Sequence, residues 1–419
     1  MLQSILEALL FDLRGALVVG TAIFALLVGN EVLFRVLRLP NEITRKLSHI
    51  GSGFIVISFP WLLSSAWSVG LLSLSFLLIL GVGKKSGLLM SIHGVSRRTG
   101  GAYFYPVAVL GIWLLSGGDK PLFAIPIAIM AIADTGAALV GKAHGETVFQ
   151  VLDGQRSFEG TGTFFGLAFA IVLGGLALAG KPGWPDLLLV SLVAALLTSA
   201  VEAVSIRGSD NILIPYAAWL VLERTLRLGL DELSTWLLGM LISVLVVLAA
   251  YKAARLNPAA ALLTFILCTL AFALGGWAWL LPLLVLYALY ALGRPSGLET
   301  DLTDVFAASV GSILVVLLFA HTDDPGLFLP FLVTVSANAA VAAWLALRTR
   351  PWLRVITPVV AAALPPALPL LMGREVPVLA LSAGGLAGLL LFLGLAQTRL
   401  VGRRLVTSVV VALIAWLLA

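Results

Sequence analysis

The sequence predicts an all-α, polytopic integral membrane bundle of about 16 transmembrane helices. Three observations carry this expectation. Of 419 residues, 60% are hydrophobic and only 11% charged, with a mean hydropathy of +1.09, more apolar surface than a soluble domain of this length can hide. Apolar runs of about 17–25 residues, the length that crosses a bilayer as a helix, recur from end to end. Those runs do not alternate polar and apolar residues as the strands of a membrane barrel would.

Spans are expected near 14–36, 50–65, 67–82, 103–117, 121–142, 161–179, 186–205, 211–223 and 234–251. A second set is expected near 258–274, 276–292, 303–320, 326–347, 353–371, 377–395 and 402–418. The span after Asn211 is short and opens on the proline-interrupted stretch ILIPY, the pattern of a partial or broken helix. The odd-numbered connections are long and basic, carrying Arg38, Arg45 and Lys46, then Lys84, Lys85, Arg97 and Arg98, then Lys142 and Arg156, then Arg207. The even-numbered ones, such as PWLLSSAW, are tight and nearly uncharged. By this topology 20 of the 26 Lys and Arg fall on one side of the membrane. The positive-inside bias makes that side cytoplasmic and puts the N-terminus outside. The expected location is a prokaryotic plasma membrane. The first fourteen residues lack a basic start, a short apolar core and a cleavage site, so no cleaved signal peptide is expected. The pI near 9.5 fits orientation and an anionic substrate; no long soluble basic segment suits nucleic acid. Cys268, the one cysteine, lies in an apolar run and reads as a small core residue.

A faint repeat relates the two halves. A shift of 204 residues lays Pro121, Pro126, Ala133 and Asp134 on Pro325, Pro330, Ala337 and Asn338. The second copy has an amide in place of the acid and no counterpart of the loop that follows it. Residues 1–254 are therefore expected to form the catalytic domain and 255–419 a helical domain without chemistry of its own.

Four of the basic connections hold polar clusters that open on the same side. They are NEITRKLSHIG (41–51), SRRTGGAYFYP (96–106), ADTGAALVGKAHGETVFQVLDGQRSFEGT (133–161) and EAVSIRGSDNILIP (202–215). Acids at membrane depth are costly and face a wet cavity or a partner. Asp134 and Glu202 both lie a turn or two inside the cytoplasmic ends of their spans. Two acids on one hydrated pocket suit Mg2+, which takes carboxylate and phosphate oxygens and keeps waters. Arg45, Lys46, Arg97, Arg98, Lys142 and Arg156 supply charge for a polyphosphate. Gly100, Gly101 and the RSFEGT turn can bring backbone N–H groups to phosphate oxygens, the latter at the start of a span.

The motifs RKLSH, ADTGAALVGKAHG, QRSFEGT and Glu202 followed by SDNILIP, in that order, resemble the polyprenol kinase family: dolichol kinases, phytol kinases and CTP-dependent diacylglycerol kinases. The resemblance covers residues 30–225, about half the chain. Arg156 stands where that family has a lysine before the serine; the charge is kept, but a point contact becomes a planar fork. The resemblance implies Mg2+-dependent phosphoryl transfer from a nucleoside triphosphate, CTP foremost, to the hydroxyl of a lipid alcohol such as phytol or dolichol. Such transfer asks mainly for positioning and charge stabilisation. The alcohol would enter sideways from the bilayer, and the nucleotide would stay in the cytoplasmic mouth. Asp134, Glu202 and Asp210 would share catalysis, with Asp134 and Glu202 holding the metal; which acid is the general base stays open. Arg45, Lys46, Arg98, Lys142, Arg156, Ser157, Gly160, Thr161 and Asn211 would bind phosphate or nucleotide, with His49 and Glu159 supporting them.

Structural roles are open to several of these residues. Asp134 can pair with a cation simply to hold the bundle together. Gly136 and Gly141 suit close helix approach as well as phosphate contact, and Lys142 suits headgroup anchoring. Glu159 can complement a helix dipole. Lys84, Lys85, Arg403 and Arg404 read as topology determinants, and Tyr103 and Tyr105 as an interfacial aromatic belt. Two rival functions remain. A CTP:phosphatidate cytidylyltransferase resembles the third cluster, but its C-terminal signature, a lysine-, aspartate- and glycine-rich stretch with a histidine before two glycines, is missing after residue 205. A secondary transporter would explain the repeat, but here the polar groups gather at one mouth, not at the midplane.

Overall fold

The computed structural model describes residues 2–86, 100–151, 154–181, 183–205, 208–252, 256–293, 300–322, 324–346 and 400–418, with shorter pieces between 357 and 393. The chain divides into two units, residues 1–233 and 234–419. The division falls earlier than the expected 254/255 boundary. Trp236, Ile242, Val246 and Ala250, on the helix Leu230–Lys252, pack on the core of the second unit.

The first unit opens with α1 (Leu2–Phe11), α2 (Leu13–Arg35), α3 (Asn41–Ile57), the single turn α4 (Phe59–Leu62) and α5 (Ala66–Ser86). Then come α6 (Gly101–Ser116), α7 (Lys120–Ala128), a π-helical turn (Ile129–Ala133) and α8 (Asp134–His144). A hairpin of β1 (Val148–Val151) and β2 (Gly154–Ser157) leads into α9 (Phe158–Leu178), α10 (Asp186–Val204) and α11 (Asp210–Thr225). The second unit holds α12 (Leu230–Lys252), whose first turn precedes the division, α13 (Pro258–Gly275), α14 (Trp277–Gly293), α15 (Leu302–Thr322), α16 (Phe328–Ala346) and α17 (Leu400–Leu418). Its largely aliphatic core holds one aromatic cluster, in which Trp279 packs against Phe319, Phe328 and Phe331. Asn338, the counterpart of Asp134 in the expected repeat, is fully buried and donates its amide to the Thr334 carbonyl at 2.9 Å.

Among the described residues nine helices are long and apolar enough to cross a membrane, and three shorter apolar helices accompany them. Among the described residues the count thus stops short of the expected 16. The segments near 353–371 and 377–395 lie largely outside the described residues. The expected span 50–65 is the second half of α3 plus α4; α3 starts at Asn41 and carries the first polar cluster as helix. The stretch after Asn211 is not broken: α11 runs 16 residues with Pro215 inside it. Nor is the chain wholly helical. The β1–β2 hairpin pairs Val148 with Ser157 and Val151 with Gly154.

A buried carboxylate ties the opposite end of the first unit. Asp12 accepts hydrogen bonds from the backbone N–H of Ser64 and Ser65, at 2.9 Å each, and from the Ser64 hydroxyl at 2.8 Å. It thereby satisfies donors at the start of α5 that no helix carbonyl reaches.

Candidate active site

Lys46 and His49 lie three residues apart on α3 and so share one helix face. Both meet Asp134. Lys46 Nζ lies 3.2 Å from Asp134 Oδ2, and His49 Nε2 lies 3.8 Å from the same oxygen. The π turn sets this register. It carries the Asp134 N–H back to the carbonyl of Ile129, five residues earlier, and the next carbonyl, that of Met130, faces His49 Nε2 at 3.0 Å. Wide turns of this kind recur at functional sites in helices. Asp134 is buried, yet it is compensated by a cation, as a carboxylate at this depth requires.

The hairpin performs the second assembly. Ser157 caps α9, its hydroxyl accepting from the Gly160 N–H at 3.0 Å. Glu159 Oε1 accepts from the Thr147 N–H at 3.0 Å and closes the hairpin's base. The strand pairing then projects Arg156 onto the C-terminal end of α10. Its Nη1 lies 3.1 Å from Glu202 Oε1, and its Nη2 donates to the Ser205 carbonyl at 3.4 Å. One planar fork thus holds an acid and a helix-end carbonyl together, which a lysine ammonium does less well. Close packing permits it. A Cβ on Gly160 would stand 3.1 Å from the Ala137 carbonyl oxygen, and one on Gly141 3.0 Å from Ser157 Oγ.

The remaining contacts close a ring. His49 meets Tyr105 of α6 edge-on, with ring centroids 5.6 Å apart. The backbone at Gly101 runs against α11: a Cβ there would stand 2.6 Å from the Asn211 side-chain amide and 3.4 Å from Gly208 Cα. So cluster one meets three through Lys46 and Asp134, three meets four through Arg156 and Glu202, four meets two through Asn211 and Gly101, and two meets one through Tyr105 and His49. Asp134, Glu202 and Asp210 act electrostatically on one another and on the same two cations, Lys46 and Arg156.

The other expected residues fall as follows. Arg45 is half-buried beside this group, its Nε without a hydrogen-bond partner among the described residues and its charge felt by His49. Asp210 and Asn211 open α11, where the Asp210 carboxylate accepts from the Asn211 N–H at 2.9 Å. Thr161 Oγ1 is buried in the first turn of α9 without a hydrogen-bond partner among the described residues. Lys142 is exposed in the last turn of α8, about two turns beyond Asp134. Ser157 and Gly160 spend their polar groups on the helix cap, and Glu159 on the hairpin. Arg97 and Arg98 lie outside the described residues. Tyr105 is buried, not interfacial, and joins the ring. Among the described residues no group of three or more His, Cys, Asp or Glu forms a ready-made metal cage. Mg2+ asks for less: one or two carboxylates suffice where substrate phosphates and waters complete the shell, and Asp134 and Glu202, which act electrostatically on one another, are the carboxylates that would supply them.

No protein-family model matches the chain, and no solved structure matches it. The phytol kinase of Synechocystis sp. is 32% identical over 208 residues, which span 48% of this chain and 87% of the relative. Identity at that level across nearly the whole of a relative is shared ancestry, and the chain belongs to the phytol kinase family.

Proposed function

We propose that this protein is a membrane kinase that transfers the γ-phosphoryl group of a nucleoside triphosphate, CTP foremost, to the hydroxyl of an isoprenoid alcohol such as phytol. The observation that carries the reading is the pair of buried ion bridges, Lys46–Asp134 and Arg156–Glu202, on four chain segments at one mouth. The relative named above, a phytol kinase, supplies the substrate class. In the reaction a bond forms from the alcohol oxygen to the γ-phosphorus, and the bond from that phosphorus to the β–γ bridging oxygen breaks. The hydroxyl proton passes to one of the carboxylates Asp134, Glu202 or Asp210. Mg2+, held by Asp134 and Glu202, would neutralise charge developing on the phosphate oxygens. Lys46 and Arg156 would exchange their carboxylate partners for phosphate oxygens as nucleotide arrives, so charges paired in the resting protein are already in place for substrate. Arg45 and Asn211 would complete the anion-binding site.

Full-length protein in detergent or nanodiscs, given a panel of prenyl alcohols and four radiolabelled nucleotides with Mg2+, tests this reading. The expected products are a lipid phosphomonoester and a nucleoside diphosphate. A nucleotide-linked lipid with pyrophosphate would instead mark a cytidylyltransferase, and no turnover with any pair would refute the proposal.

A further inference from the structure

We propose that the isoprenoid chain lies in the apolar groove between α2 and α5, and that Tyr105 and Ser52 receive its hydroxyl end. This rests on the kinase reading above and deepens it. The groove encloses about 710 Å³, within the roughly 300–1,000 Å³ of small-ligand sites. Its walls are almost wholly apolar: Phe24 of α2 and Ile79 of α5 flank the opening, and at one end stands the Glu31–Arg35 ion pair. Phe24 is 67% exposed, so the groove opens on the outer surface of the unit, where acyl chains would be.

The inner end shares walls with a second cavity on the site's side. Ile23, Leu72 and Phe76 line both this groove and a second, narrow cavity of about 30 Å³, whose far wall is Ser52 and Tyr105. That volume is of the order of one water molecule. A terminal hydroxyl fits the neck, and a branched chain does not. Tyr105 is 6% exposed and its hydroxyl makes no hydrogen bond of ordinary geometry among the described residues, with Ser52 as its polar neighbour. A buried hydroxyl left unpaired is costly unless something completes it. The substrate hydroxyl is of the right kind, since it both donates and accepts. Tyr105 touches His49, and His49 lies 3.8 Å from Asp134. Groove, hydroxyl neck, histidine and acid thus follow one another through shared or touching residues.

Val32 and Gly29 make a matched test. Both lie on α2; Val32 lines the groove nine residues, about 14 Å of helix, from Ile23 at the neck, and is 49% exposed. Gly29 does not line the groove, and a Cβ there meets nothing within 4 Å. Val32→Trp is expected to raise KM for a twenty-carbon prenyl alcohol at least tenfold more than for a five-carbon one, because it displaces the far methylenes. Gly29→Trp leaves both unchanged, and KM for nucleotide stays within twofold in both variants. Tyr105→Phe is expected to lower kcat about tenfold with either alcohol while moving the nucleotide KM little. Equal effects of Val32→Trp on long and short alcohols, or none, would overturn the proposal. A second arm needs no turnover: a diazirine-bearing isoprenoid alcohol should label α2 and α5 of the wild-type protein, and unlabelled alcohol, but not phosphatidylglycerol, should compete. Competition by phosphatidylglycerol would make the groove a bilayer-lipid site and overturn the proposal. Labelling of α2 and α5 without transfer from any nucleotide would sink the kinase reading and leave the groove standing.

Discussion

The Arg156–Glu202 bridge makes an asymmetric prediction. At 3.1 Å and an effective dielectric of about 20, the attraction is about 5 kcal/mol before desolvation is counted. The two partners differ in access to water: the Glu202 side chain is 4% exposed and that of Arg156 28%. Arg156→Gln strands a carboxylate that cannot rehydrate, at a cost of about 3–5 kcal/mol. Glu202→Gln strands a guanidinium that can turn to water, at a cost of about 1 kcal/mol. The double variant leaves no uncompensated charge and should recover about 2 kcal/mol of the Arg156→Gln loss. Reversible unfolding of the full chain in mixed micelles, followed by circular dichroism, measures all three. Equal costs for the single variants, or strictly additive ones, would refute the reasoning, because each requires the bridge to be solvated on both sides.

Other expectations follow from particular contacts. Arg156→Lys keeps the charge but loses one prong of the fork, so about 1 kcal/mol of stability and a measurable part of nucleotide affinity should go, read by unfolding and by KM. Gly145→Ala places a Cβ 2.2 Å from the Gly141 carbonyl oxygen and 2.9 Å from Ser157 Cβ; the hairpin must shift, and both melting temperature and turnover should fall. Burial alone would raise the Asp12 carboxyl, but the neighbouring Ser68 hydroxyl and the hydrogen bonds from Ser64 and Ser65 outweigh it and hold it below its ordinary value of 3.8. Its stabilisation is therefore full above that pH and lost as pH falls through the depressed value. The stability gap between wild type and Asp12→Asn should accordingly narrow below about pH 4, while turnover at neutral pH differs little between them.

Much of the site was legible because membrane depth makes charge conspicuous. Asp134 and Glu202 stood out in apolar runs; Lys46 and His49 read as part of a connection, and only the start of α3 at Asn41 puts them on one helix face. The ring itself was not legible. Which cation serves which acid depends on how α3, the hairpin and α10 pack, and no local pattern encodes that. The hairpin escaped notice because four-residue strands fall below any periodicity window. Its one signal, Asp153-Gly154 between VFQV and QRS, is a turn pair easily taken for loop. Tyr105 read as interfacial because aromatics near a span end usually are; only tertiary contact with His49 shows otherwise. The π turn before Asp134 has no sequence rule to betray it, although Pro126 and the small residues after it loosen the helix there.

Asp134 is the carboxylate on which Lys46, His49 and the proposed metal all depend. Transfer of γ-labelled phosphate from CTP to phytol by purified full-length protein, wild type against Asp134→Asn at matched folded fraction, is therefore the most direct measurement. The account predicts labelled lipid phosphate from the wild type and a fall of at least about a thousandfold in kcat, some 4 kcal/mol of transition-state stabilisation, in the variant. Comparable rates from the two proteins would contradict it.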